Sequence, residues 1–190
     1  MSDAEDTRTD DDRLKLPDED GRVTVRLRVN GTPRTLRVGA TQTLLDALRG
    51  QLSLGGARSG CGVGMCGACT VLKEGTAVSG CLTLAALCDQ ADVRTVEGLE
   101  EPGGDLTPVQ SAFLRHRAFQ CSYCTSGFIL ALESLLARDP APDEEAIREA
   151  FTGHLCRCGS YSRIMAAALE AAGAGTSVRT DQGERTEDGA

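Results

Sequence analysis

Gly55-Gly-Ala-Arg-Ser-Gly-Cys-Gly-Val-Gly-Met-Cys-Gly-Ala-Cys69 sets Cys61, Cys66 and Cys69 in a run with six glycines. A fourth cysteine, Cys81, follows after a short hairpin pattern, giving C-x4-C-x2-C-x11-C. The first three match the plant-type [2Fe-2S] ligand run. Four thiolates must converge on two irons from one short loop. Glycines let that loop wrap closely and aim its N–H groups at sulfur, because no Cβ blocks the approach. A structural zinc site fits poorly, since zinc usually pairs two C-x2-C knuckles. Disulfides are disfavoured because the N-terminal residues read as neither a secretory nor a twin-arginine signal, which places the protein in the cytoplasm.

Outward from this loop the pattern is that of a small α+β unit. Val23, Val25, Leu27 and Val29 alternate with Thr24, Arg26 and Arg28, the period of a half-buried strand. Asn30-Gly31 tolerates positive φ and predicts a tight turn into a second strand over Arg34–Val38. Thr43 caps a short helix carrying Leu44, Leu45 and Leu48. Short strands are predicted at Thr70–Lys73 and Thr76–Val78 around Glu74-Gly75, and at Val93–Val96. The unit spans 22–98 and has no aromatic residue, so its core must be aliphatic and small.

A glycine- and proline-rich stretch over 99–106 reads as a linker. Beyond it, over 107–172, the pattern is helical. Thr107-Pro108 opens one helix, and Thr125–Ala137, Asp143–Phe151 and Tyr161–Ala172 follow. This four-helix unit holds all six aromatics and four more cysteines, Cys121, Cys124, Cys156 and Cys158, spaced C-x2-C-x31-C-x-C. Each pair precedes a predicted helix, whose N-terminal dipole and free N–H groups stabilise thiolates. By spacing alone this second set admits iron, zinc or a redox dithiol. Cys88, the ninth cysteine, belongs to neither quartet and reads as a small buried hydrophobe.

The 190-residue chain has a net charge of -8. Residues 1–20 carry nine acids against three bases, and 171–190 carry Asp181, Glu184, Glu187 and Asp188 against Arg179 and Arg185. These tails, 1–21 and 173–190, are predicted to be disordered. The remaining core is neutral. An acidic balance argues against a nucleic-acid partner, and no apolar run approaches the roughly 20 residues of a membrane span.

Four motifs together resemble a known family: Ser59-Gly-Cys-Gly-Val-Gly-Met-Cys-Gly-Ala-Cys-Thr-Val, Ser79-Gly-Cys-Leu-Thr-Leu-Ala, Phe119-Gln-Cys-Ser-Tyr-Cys-Thr-Ser-Gly-Phe and Thr152-Gly-His-Leu-Cys-Arg-Cys-Gly-Ser-Tyr. They are similar, in order, to the iron–sulfur subunit of the molybdenum hydroxylases, the xanthine dehydrogenase, carbon monoxide dehydrogenase and aldehyde or isoquinoline oxidoreductase family. The resemblance implies a β-grasp ferredoxin domain followed by a four-helix domain, each with one [2Fe-2S] cluster, and so favours iron in the second quartet. It implies a large partner subunit holding a molybdenum-pterin cofactor near the second cluster, with Gln120, Cys121 and Cys158 at the pterin. It also implies an electron exit past the first cluster, commonly to a medium FAD subunit. Substrate oxidation then takes place in the partner chain, on an aldehyde, an N-heterocycle or a similar compound. Ser122, Ser126, His154 and Gly159-Ser160 depart from the common family pattern, and none of these changes removes a cysteine. Arg157, between two cysteines, is a candidate tuner of potential or a salt-bridge partner. The competing functions are a free-standing two-cluster ferredoxin and a zinc-stabilised, non-redox interaction module.

Overall fold

The structure is a computed structural model that describes residues 17–100 and 103–173. Most of both predicted acidic tails lies outside the described residues. The last part of the first one is folded. The Asp18 carboxylate accepts from the Asp20 and Arg22 amides and pairs with Arg37, so ordered chain begins before Arg22.

Strand β1 (Arg22–Val29) buries Val23, Val25, Leu27 and Val29 and exposes the residues between them, the strict alternation of its sequence. Asn30 and Gly31 take φ of 50° and 76°, and the chain returns antiparallel as β2 (Thr32–Gly39). Helix α1 (Leu44–Gly50) starts at Thr43, whose hydroxyl accepts from the Asp46 amide. It buries Leu44, Leu45 and Leu48. Strands β3 (Thr70–Lys73) and β4 (Thr76–Ser79) form a hairpin through Glu74-Gly75, and β5 (Asp92–Arg94) completes the sheet.

The five strands are ordered β2-β1-β5-β3-β4, with β5 parallel to β1 and antiparallel to β3. β5 stops at Arg94, and Val96–Gly98 forms a single 3-10 turn where the β-branched run predicted more strand. Ala85–Cys88 is a second such turn, without a side-chain cap, and no periodic signal marked it. The sheet's core is aliphatic throughout, and Val25, Val38, Leu44, Leu48, Val71 and Val93 are fully buried. Each such side chain contributes about 1.5–3 kcal/mol by leaving water.

The helical lobe follows. α2 (Pro108–Arg115) opens on a capping box, with Thr107 accepting from the Gln110 amide and the Gln110 side chain accepting from the Thr107 amide. α3 (Thr125–Leu136) is buried on almost every side, including Phe128, Leu130 and Leu132, as expected of the central helix of a bundle. α4 (Glu144–Ala150) is capped by Asp143. α5 (Tyr161–Ala171) packs beside α2, where Arg115 and His116 both bind Glu170.

The two lobes share a core at their seam. Leu72, on β3, is buried among residues of the helical lobe, with Phe128, Leu132 and Leu135 in the same cluster. Leu99, in the stretch read as linker, is buried there too. The Ser134 hydroxyl accepts from the Ala77 amide and donates to the Gly75 carbonyl, tying α3 to the β3–β4 turn. Among the described residues no helix is long and apolar enough to cross a membrane.

Candidate metal centres

Eight of the nine cysteines fall into two quartets, one in each lobe, and all nine are free of disulfides. In the first loop Gly62, Gly64 and Gly67 take positive φ of 72°, 76° and 68°. That conformation turns successive N–H groups inward. The Val63 and Met65 amides donate to Cys61 Sγ at 3.4 and 3.3 Å, and the Cys61 amide donates to Cys66 Sγ at 3.4 Å. The Val63 amide leads in holding the Cys61 thiol down at about 7. Burial does the reverse at Cys69 and pushes it up to about 11.

The second quartet repeats this division. Cys121 is exposed and its thiol is lowered, first by the Tyr123 amide and then by Cys158. Cys124 is the N-cap residue of α3, and burial pushes it up to about 12. Cys156 is buried, which opposes ionisation, but the Ser160 amide at 3.4 Å helps hold its thiol below the ordinary value. The high values of Cys69 and Cys124 mean that a bound metal must supply the charge that ionises them.

Within each quartet the thiols are neighbours. Cys61 faces Cys66, and Cys69 faces Cys81 with Cys66 also near enough to act on it. Cys121 lies 3.5 Å from Cys158, and Cys124 faces Cys156. Among the described residues no three His, Cys, Asp or Glu side chains gather as a site for a single ion. A zinc site draws all its ligands onto one ion, whereas a [2Fe-2S] centre takes two protein ligands on each iron. Two all-cysteine quartets offer the four thiolates that such a dinuclear group takes.

Several contacts dock one cysteine loop on the other. The Leu155 amide donates to the Cys66 carbonyl at 3.0 Å. The Tyr123 hydroxyl donates to the Ser59 carbonyl at 2.7 Å, and the Arg58 guanidinium lies over the Tyr123 ring. Gly56 is held on both sides, its amide by the Glu97 carboxylate at 2.6 Å and its carbonyl by the Ser126 hydroxyl at 2.7 Å. A Cβ on Gly127 would overlap the Gly67 carbonyl oxygen, so the first turn of α3 sits directly on the first loop. Between the loops lies a cleft of about 540 Å³, bordered by Cys61, Cys66, Cys121, Cys156, Tyr123 and Arg157.

The remaining singled-out residues divide. Gln120 is exposed and donates to the Cys158 carbonyl at 3.2 Å, which ties it to the Cys121–Cys158 edge. Ser122 takes φ of 61°, a left-handed conformation that glycine adopts more freely. Cys88 is fully buried in the sheet's core, and its thiol contacts the Leu84 carbonyl. His154 packs between the lobes, and burial lowers it to about 4, so it is neutral at ordinary pH. Sequence reasoning missed Tyr123, Ser126 and Gly127 as docking residues. The glycine early in an otherwise apolar helix was the available signal of a close approach.

Comparison with known proteins agrees with this geometry. The 2Fe-2S iron-sulfur cluster binding domain family matches residues 27–94, and the [2Fe-2S] binding domain family matches residues 95–169. The chain is 47% identical over 160 residues to the nicotine 6-hydroxylase small subunit of Paenarthrobacter nicotinovorans, covering 84% of this chain and 96% of that one. It is 43% identical over 162 residues to the iron-sulfur-binding subunit of an aldehyde oxidoreductase from Escherichia coli K12, covering 77% of this chain and 70% of the relative. Among solved structures, quinoline 2-oxidoreductase from Pseudomonas putida 86 contains a chain that superposes with a TM-score of 0.74 at 39% identity, covering 82% of this chain and 98% of that one. The aldehyde oxidoreductase of Desulfovibrio gigas gives the same TM-score of 0.74 at 37% identity, and there this chain spans only 17% of a much longer polypeptide. Two matched [2Fe-2S] domains, a small-subunit relative matched over 96% of its length and two thiol quartets lead to one assignment: the chain belongs to the [2Fe-2S] small-subunit family of the molybdenum hydroxylases.

Proposed function

We propose that this chain is the electron-transfer subunit of a molybdenum hydroxylase complex, carrying electrons from a partner's molybdenum-pterin site toward FAD or another acceptor. The observation that carries this reading is the docking of the two cysteine loops on each other, with the Leu155 amide donating to the Cys66 carbonyl and the Tyr123 hydroxyl to the Ser59 carbonyl. Cys61, Cys66, Cys69 and Cys81 would hold the first cluster, and Cys121, Cys124, Cys156 and Cys158 the second. When bound, each [2Fe-2S] cluster takes up and releases one electron at a time, so two of them can accept the two electrons of one substrate oxidation.

The chain's own residues hold and tune. The Val63, Met65 and Ser160 amides point at cysteine sulfur and favour its anionic form. Burial of Cys69, Cys124 and Cys156 excludes water from one side of each quartet, while exposed Cys61 and Cys121 leave an approach on the other. The edge formed by Gln120, Cys121 and Cys158 would face the large molybdenum subunit and its pterin, and the Cys61 side would face a medium FAD subunit. In domain terms, the sheet over 22–98 would be a β-grasp ferredoxin domain, 99–106 the connection and 107–172 the four-helix cluster domain. Relatives named for nicotine and an aldehyde, and a structure named for quinoline, support an N-heterocycle or aldehyde as the partner's substrate. Nine cysteines without a disulfide suit a reducing compartment such as the cytoplasm.

Affinity purification of the native chain tests the complex. It is expected to bring down a molybdenum-containing subunit, and a chain that carries its iron but no associated molybdenum would overturn this reading. In the purified complex, Cys61→Ser is expected to stop acceptor reduction while substrate still reduces the partner's molybdenum. Full turnover in that variant would remove Cys61 from the ligand set.

A further inference from the structure

His154 lies two residues before Cys156, on the seam between the cysteine loops. Its ring packs on Phe128 with centroids 5.3 Å apart and lies over Gly67, where an added Cβ would overlap it. Nε2 is 3.0 Å from the Thr70 hydroxyl oxygen. That hydroxyl donates its own proton to the Gly67 carbonyl at 2.8 Å. The oxygen therefore has only lone pairs to offer the imidazole, and Nε2 must carry the hydrogen. The result is a directed chain from His154 through Thr70 to Gly67, the residue that follows Cys66.

The other ring nitrogen, Nδ1, is then a bare acceptor, and it is buried with no partner among the described residues. Burying an unpaired acceptor costs stability. An apolar side chain would fill the same space without that cost. What the imidazole adds is a donor at the reach of Nε2. The Leu155 amide, one residue on, already bonds the Cys66 carbonyl. The Tyr123–Ser59 and Ser126–Gly56 bonds hold the start of the first loop, and the His154–Thr70 bond adds a hold at its far end, beside the Cys66–Cys69 turn.

We propose that His154 is a positioning residue for electron transfer: by donating to Thr70 it latches the Cys156 loop onto the Cys66–Cys69 turn and so fixes the spacing of the two [2Fe-2S] clusters. This rests on the ligand assignment above. A latch of this kind affects how strongly the two clusters sense each other, and it leaves the number of clusters unchanged.

The test uses the assembled complex with both clusters reduced, where the spin–spin splitting of their electron paramagnetic resonance signals reports their spacing. Native complex must first show iron for two clusters; failure there would sink the ligand assignment and not the latch. His154→Leu keeps the packing and removes the donor. It is expected to retain iron for both clusters and to lose the native splitting, with slower electron transfer between the clusters after rapid reduction. His154→Gln places an amide N–H near the position of Nε2 and is expected to restore the splitting. Native splitting in His154→Leu would overturn the proposal, as would equal loss in the Leu and Gln variants. Should His154→Leu fail to load iron, Thr70→Ser and Thr70→Val decide the matter. Ser keeps the hydroxyl and is expected to keep the splitting, Val is expected to lose it, and identical spectra from the two would overturn the latch.

Discussion

The Leu155 amide donates to the Cys66 carbonyl across the lobe seam at 3.0 Å. Cys66 belongs to the first thiol quartet, and Leu155 directly precedes Cys156 of the second. One peptide hydrogen bond thus joins the backbones of two ligand loops that lie far apart in sequence. The sheet and the helical lobe, which share Leu72 in a common core, act as a single frame for both loops.

Gly127 is the point of closest approach in that frame. An alanine there would drive its Cβ into the Gly67 carbonyl oxygen, a backbone atom that cannot rotate aside. Gly127→Ala is expected to destabilise the protein by about 1–3 kcal/mol, as overpacking does, and to lower its iron content by shifting Cys124 against the first loop. Thermal melting and iron per chain check this. An unchanged melting temperature would show that the loops can separate freely.

Ser134 stitches the lobes at a distance from the thiols. Ser134→Ala removes its bonds with the Ala77 amide and the Gly75 carbonyl. Losing these half-buried bonds is expected to cost about 0.5–1.5 kcal/mol. Iron content should stay native, and urea unfolding with iron analysis separates the two effects.

Cys88 provides the converse control. It is buried in the aliphatic core with its thiol on the Leu84 carbonyl. Cys88→Ser is expected to cost about 1–2 kcal/mol, typical of a small polar change in a core, and to retain both clusters. Loss of either cluster would make Cys88 more than a packing residue.

Thiol reactivity in the iron-free chain should follow the local environments. The Val63 amide chiefly holds Cys61 down at about 7, while burial pushes Cys69 and Cys124 up to about 11 and 12. The thiolate is the reactive form. Alkylation of Cys61 should therefore rise through neutral pH, with Cys69 and Cys124 still unlabelled. Site-resolved mass spectrometry across a pH series checks this, and equal labelling of all three at neutral pH would contradict it.

The sequence was most informative where local rules act alone. The β1 alternation, the Asn30-Gly31 turn and the Thr43 and Thr107 caps each depend on a few neighbouring residues, and each was legible. The cysteine spacings were legible because a ligand loop is itself local. What the sequence hid depends on the other lobe. Ser126 and Tyr123 bind carbonyls of Gly56 and Ser59, and no spacing rule connects such distant positions. Leu99 looked like linker because Pro102, Gly103 and Gly104 follow it, yet it completes the helical core. Asp18 looked like acidic tail and instead clasps Arg37.

The most direct measurement is iron and acid-labile sulfide per chain in the native protein. Two matched [2Fe-2S] domains, with two irons and two sulfides in each, give four of both per chain. Two irons would leave one quartet without its cluster, and stoichiometric zinc without sulfide would contradict the electron-transfer account.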